Sequence, residues 1–100
     1  MLIIRDIFTA KPGQASKLAR LFKKVFVNEP GLRVLTDLVG EYNTVVMEMT
    51  VANLAEFERH MEEYRTGTLK STMDPKVAEE MSNYTELWQS GRREVYQIVQ

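Results

Sequence analysis

The sequence has no cysteine and a single histidine, His60. The first absence excludes a disulfide framework, a zinc finger, an iron–sulfur cluster and a thiol nucleophile; the second excludes any site needing two histidines. No metal site and no cofactor is therefore expected. Long apolar runs are missing too: no stretch of the sequence approaches the ~18 apolar residues of a membrane span. The opening Met1-Leu2-Ile3-Ile4-Arg5-Asp6 places charge where a secretory signal needs an apolar segment. A cytoplasmic location with no membrane partner is expected. Charge of one sign is not in excess: 13 Lys and Arg face 14 Asp and Glu. Neither half of the chain carries the basic surplus that drives nucleic-acid binding by counterion release.

What is present is enough for a core. Apolar residues make up 44% and charged residues 27% of 100 residues, the balance of a folded chain forming one domain, residues 1–100. Turn and boundary signals cut it into element-sized pieces: Lys11-Pro12-Gly13, Glu29-Pro30-Gly31, Gly40-Glu41-Tyr42-Asn43, Thr66-Gly67-Thr68, Asp74-Pro75 and Ser90-Gly91.

Leu2 to Thr9 reads as a strand, with Leu2, Ile4 and Phe8 on one face and Ile3 and Ile7 on the other. Gln14 to Val27 reads as a helix, its apolar residues Ala15, Leu18, Ala19, Phe22, Val25 and Phe26 recurring at steps of three and four. Leu32–Val39 and Thr44–Val51 form a hairpin about the four-residue Gly-Glu-Tyr-Asn turn. Leu54 to Tyr64 is a second helix, with Asn53 as N-cap and Glu56 completing a capping box. Its inward stripe is Leu54, Phe57, His60, Met61 and Tyr64. Arg65 to Met73 reads as loop. Asp74-Pro75 starts a third helix, on which Val77, Met81, Tyr84 and Trp88 share a face and after which Gly91 is the stop. Arg92 to Val99 closes the chain as a strand.

The element order is βαββα(α)β, an α+β ferredoxin-like arrangement: an antiparallel sheet with helices on one face. The strands are also apolar on the second face. A second copy packed sheet to sheet is the simplest cover, so a homodimer is expected.

Three short runs carry a family resemblance. Thr9-Ala10-Lys11-Pro12-Gly13-Gln14 resembles the strand-to-helix turn of the dimeric α/β-barrel superfamily, and its NIPSNAP-like branch shares the Lys-Pro-Gly opening. Asn53-Leu54-Ala55-Glu56-Phe57-Glu58-Arg59-His60 is similar to the second-helix Phe-x-x-His segment of antibiotic-biosynthesis-monooxygenase-like members. Ser90-Gly91-Arg92-Arg93-Glu94-Val95-Tyr96 resembles the closing strand of related small barrels. The resemblance implies two ferredoxin-like subunits forming a dimeric α/β barrel, each with a pocket between sheet and helices. Some members oxidise phenols or quinols with dioxygen and no prosthetic group, and others degrade haem. The haem-degrading branch carries an Asn on the first strand and a Trp on the second helix. Here the strand offers Arg5 and Asp6, and His60 stands where the Trp is expected, which argues against haem.

His60 is the leading catalytic candidate, because histidine is the side-chain type whose unperturbed pKa lies near neutrality, and a pocket-facing imidazole can take a phenolic proton. The plain alternative is a core histidine bonded to a neighbour. Tyr42, Tyr64 and Trp88, with Asn43 and Tyr84, are candidates for holding a flat aromatic ligand, against ordinary packing and turn roles. Arg5 and Asp6 are strand charges that either anchor a ligand or form ion pairs within the sheet that fix dimer register. Lys17, Arg20, Lys23 and Lys24 read as a solvated helix face. Three functions follow: a small cofactor-independent monooxygenase acting on a phenol- or quinol-type substrate; a non-catalytic dimeric barrel binding a small apolar ligand or a partner protein; and an amino-acid-binding regulatory domain, which shares the βαββαβ order.

Overall fold

A computed structural model describes residues 1–67 and 73–100. Four strands form one sheet in the order β2-β3-β1-β4, every neighbour antiparallel. They are β1 (Leu2–Ala10), β2 (Arg33–Thr36), β3 (Thr44–Val51) and β4 (Trp88–Gln97). Helices α1 (Ala15–Val25), α2 (Leu54–Thr66) and α3 (Pro75–Ser82) and a 3₁₀ turn (Tyr84–Leu87) complete the described chain. This is the ferredoxin-like order read from the sequence.

The registers assign every strand residue to a face. Ile4 lies between Met49 of β3 and Val95 of β4, and Phe8 between Val45 and Gly91. These positions face the helices. Ile4, Val45 and Val51 are fully enclosed, as are Leu18 and Phe22 of α1. Side chains alternate along a strand, so Ile3, Arg5 and Ile7 point to the open face.

The helix starts follow their sequence signals. Asn53 Oδ1 accepts the Glu56 N–H at 2.9 Å, and Glu56 reaches back to the Ala52 N–H at 2.6 Å, one residue beyond the usual capping-box partner. Asp74 accepts the Lys76 N–H at 2.9 Å, with Pro75 at the first helical position. Helix α2 ends where Gly67 takes a left-handed conformation, φ 79°. The loop reading of Arg65–Met73 is thus shortened at its start, and residues 68–72 of it lie outside the described residues.

Element ends shift by one or two residues at several places, the last strand ending at Gln97 rather than Val99, and two differences are larger. The hairpin loop spans seven residues, 37–43, because β2 stops at Thr36. Asp37 closes it: its side chain accepts the Thr44 N–H at 3.0 Å, while its own N–H donates to the Thr44 carbonyl at 3.3 Å. Leu38 and Val39, read as strand, are almost fully exposed. The third helix is the larger correction. It stops at Ser82 rather than near Gln89, and Trp88 opens β4 instead of ending a helix stripe. Ser90 and Gly91 lie inside the strand. Gly91 sits at a close approach: a Cβ there would come within 3.2 Å of the Phe8 ring, which would have to move by a few tenths of an ångström. A glycine that spaces two strands looks, in sequence, like one that stops a helix.

Candidate active site

The helix-facing side of the sheet carries two different surfaces. Helix α1 buries Leu18, Leu21, Phe22 and Val25. Their burial contributes roughly 1.5–3 kcal/mol for each large side chain. Helix α2 buries no residue completely. It stands over the sheet and leaves a cavity of about 340 Å³, within the range of small-molecule sites.

The base of this cavity is a ring cluster. Phe8 lies 5.2 Å from Phe22 and 5.2 Å from Trp88 between ring centroids, and Tyr84 lies 6.2 Å from Phe22 and 6.1 Å from Trp88. Tilted and edge-on contacts of this kind fix ring orientation. Met47 and Met49 of β3, Met61 of α2 and Met81 of α3 also reach the wall. Thioethers adapt to irregular shapes and favour aromatic partners.

Polar groups gather on the α2–β4 side. Asp6 and Arg93 are directly opposite in the β1–β4 register, and Arg93 Nε donates to Asp6 Oδ1 at 2.5 Å. The Arg93 guanidinium also lies 5.9 Å above the Phe57 ring of α2. The Tyr64 and Tyr84 hydroxyls are 2.9 Å apart and join α2 to the 3₁₀ turn. Burial above all, then the bond to Tyr64, pushes the Tyr84 hydroxyl well above its ordinary pKa, so it stays protonated. His60 lines the same cavity, and its ring makes no hydrogen bond to any described residue. The Trp88 indole Nε1 is buried and has no partner among the described residues.

Four sequence candidates, His60, Tyr64, Trp88 and Asp6, thus share one cavity with Tyr84. Tyr42 and Arg5 do not line it. Tyr42 is 81% exposed at the hairpin tip, with φ 70°, and Asn43 beside it is also left-handed, φ 58°. Arg5 is on the open face, where its Nε donates to Glu48 at 2.8 Å and its guanidinium lies 5.4 Å above the Tyr96 ring. Arg33 also bonds Glu48. These bonds make Arg5 and Asp6 members of ion pairs within the sheet. The Arg33 hydrogen bond holds the Glu48 carboxyl below its usual value, with burial opposing and Arg5 adding to the effect.

Arg93 is the cavity residue that the sequence reading did not single out. Its signal is parity: it shares a strand face with Val95. Linking it to Asp6 also requires the β1–β4 register, which one sequence does not contain.

No protein-family model matches the sequence, and no curated protein matches it. Solved structures do. A NIPSNAP domain protein from Burkholderia xenovorans superposes with a TM-score of 0.70 at 12% identity, over 99% of this chain and 95% of its own. A NIPSNAP family protein from Agrobacterium tumefaciens gives 0.70 at 11% identity, over 98% and 92%. A further protein from Agrobacterium tumefaciens gives 0.68 at 13% identity, over 99% and 94%. Identity this low speaks for the fold alone, and the chain has the ferredoxin-like, NIPSNAP-like fold.

Proposed function

We propose that the cavity binds a small planar aromatic molecule and that His60 is the base acting on its hydroxyl, as in a cofactor-independent monooxygenase. One observation carries this reading: the His60 imidazole borders an apolar cavity with neither ring nitrogen hydrogen-bonded to a described residue. His60 is half-buried, so its ring nitrogens are open to a ligand hydroxyl or to water. The Met and aromatic walls favour a flat, polarisable ring, and removal of a phenolic proton makes such a ring electron-rich enough to react with dioxygen. The test is oxygen uptake with anthrone- and quinol-type compounds. Turnover that His60→Ala lowers by about 100-fold supports the base role. Equal inactivity of wild type and His60→Ala across the panel removes the enzymatic part. Calorimetry on the same compounds then decides whether binding remains, and heat evolved with amino acids instead would favour the regulatory-domain reading.

The unit that does this is proposed to be a homodimer formed through the open sheet face. Ile3, Ile7 and Val46 are half-buried there, with Leu35 and Tyr96 more exposed. Across it, Arg33, Glu48, Arg5 and Glu94 stand directly opposite one another on successive strands. The signs alternate along this row. A two-fold axis parallel to the strands, passing between β3 and β1, sets each cation of one copy over an anion of the other. That gives complementary charge and a defined register. Sedimentation should give the mass of two chains, and Ile7→Asp should give one. A single-chain mass for the wild-type protein at micromolar concentration would remove the dimer.

A further inference from the structure

Granted that ligand site, we propose that it selects aromatic molecules carrying an anionic oxygen, a carboxylate or a phenolate, and that Arg93 receives that oxygen. Arginine offers five N–H donors in a planar fork. Arg93 spends its Nε on Asp6 and lies over Phe57; its terminal nitrogens donate to no described residue. The bond to Asp6 fixes Nε and leaves the terminal nitrogens of this partly exposed guanidinium free to meet a carboxylate bidentately. Beside it, Tyr64 and Tyr84 share one bond between two hydroxyls. Only one proton lies between their oxygens, so the other hydroxyl proton has no acceptor among the described residues. Asp6 and Arg93 both act electrostatically on the Tyr84 hydroxyl, which places these groups in one cluster.

The acidic residues of the wall are Asp6, Glu63 and Glu29, and the first two are already paired. Asp6 is bonded to Arg93, and Glu63 to Arg59 at 3.1 Å. Glu29 belongs to the turn entering β2, its carbonyl accepting the Leu32 N–H. That strand is three positions across the sheet from β4, a spacing of about 14 Å. Donors gather at the β4 side beside apolar walls of Met and aromatic residues, and Glu29 also lines the cavity. A ligand with its ring among Met47, Met49 and Trp88 would present its oxygen to Arg93.

Calorimetry with three probes of one ring system tests this: 2-naphthoate, naphthalene-2-methanol and 2-naphthylmethylammonium. The expected result is 2-naphthoate binding about tenfold more tightly than the alcohol, with the ammonium weakest. Arg93→Met should remove the preference for 2-naphthoate over the alcohol, and Arg93→Lys should retain part of it. Equal binding of all three probes by the wild-type protein overturns the anion selectivity while leaving the ligand site standing. A preference that survives Arg93→Met in a folded variant, verified by circular dichroism, overturns the role of Arg93. If no probe binds, the ligand site and its selectivity fall together.

Discussion

Helices α1 and α2 lie on the same side of one sheet and use it differently. Helix α1 encloses four apolar side chains and closes the core against Phe8, Val45 and Ala10. Helix α2 encloses none. It touches its surroundings through a hydroxyl pair, a cation over a ring and a capped N-terminus. The difference is a division of labour within about a hundred residues. Dense apolar packing supplies stability on the α1 side, and its absence leaves room for a ligand on the α2 side. Elements that border a binding site are drawn from the less tightly packed part of a fold.

The largest break in this comparison is Phe22→Ala. The ring is completely buried against Phe8 and Tyr84, so truncation should cost about 3–5 kcal/mol in a denaturant titration. A loss under about 1 kcal/mol would mean that α1 is not the stabilising side. Gly91→Ala comes next. The added methyl meets Phe8, the ring beneath both core and cavity, and should cost about 2 kcal/mol. Unchanged stability would show that Phe8 yields freely.

Glu48→Gln tests the sheet apart from either helix. Glu48 is lowered below the free-glutamate value of 4.5, chiefly by the Arg33 hydrogen bond. A carboxyl with a depressed folded pKa binds protons more readily when unfolded. Its contribution is therefore complete above 4.5 and is lost as pH falls through the folded value. The Glu48 side chain is 6% exposed, but Arg5 and Arg33 are 42% and 67% exposed. Solvent screening of the arginines limits the neutral-pH loss in Glu48→Gln to about 1–2 kcal/mol. The gap between wild type and variant should narrow as the buffer is taken down toward pH 3; a constant gap would sink the ion-pair account.

The smallest effect is expected from Tyr64→Phe. It removes one hydroxyl from a partly exposed pair and should cost about 0.5 kcal/mol globally. Amide exchange in α2 should accelerate while α1 stays unchanged. Equal acceleration in both helices would erase the distinction between them.

Much of this organisation was legible in the sequence, and the failures are local. The β1 pattern, the start of α2 at Asn53 and the start of α3 at Asp74-Pro75 were readable because caps and alternation are set by nearest neighbours. The end of α3 was misread for the opposite reason. Val77, Met81, Tyr84 and Trp88 keep helical spacing, yet all four pack on the core through a helix, a 3₁₀ turn and a strand in succession. Periodicity records which residues are apolar, not which backbone conformation delivers them. His60, Tyr64 and Trp88 were legible as candidates by type. Tyr42, equally aromatic, lies at the hairpin tip and is 81% exposed, away from the helix-covered side of the sheet.

The sequence by itself determined the element order, the helix starts, the two-sided apolar character of the strands and the lack of thiol chemistry. Those properties are written in residue types and spacings a few positions apart. Only the tertiary structure decided that Asp6 would meet Arg93, that Arg5 would turn to Glu48 on the other face, and that α2 would stand over a cavity instead of closing it. Each depends on register between strands far apart in the chain, where a shift of one residue exchanges the two faces of the sheet.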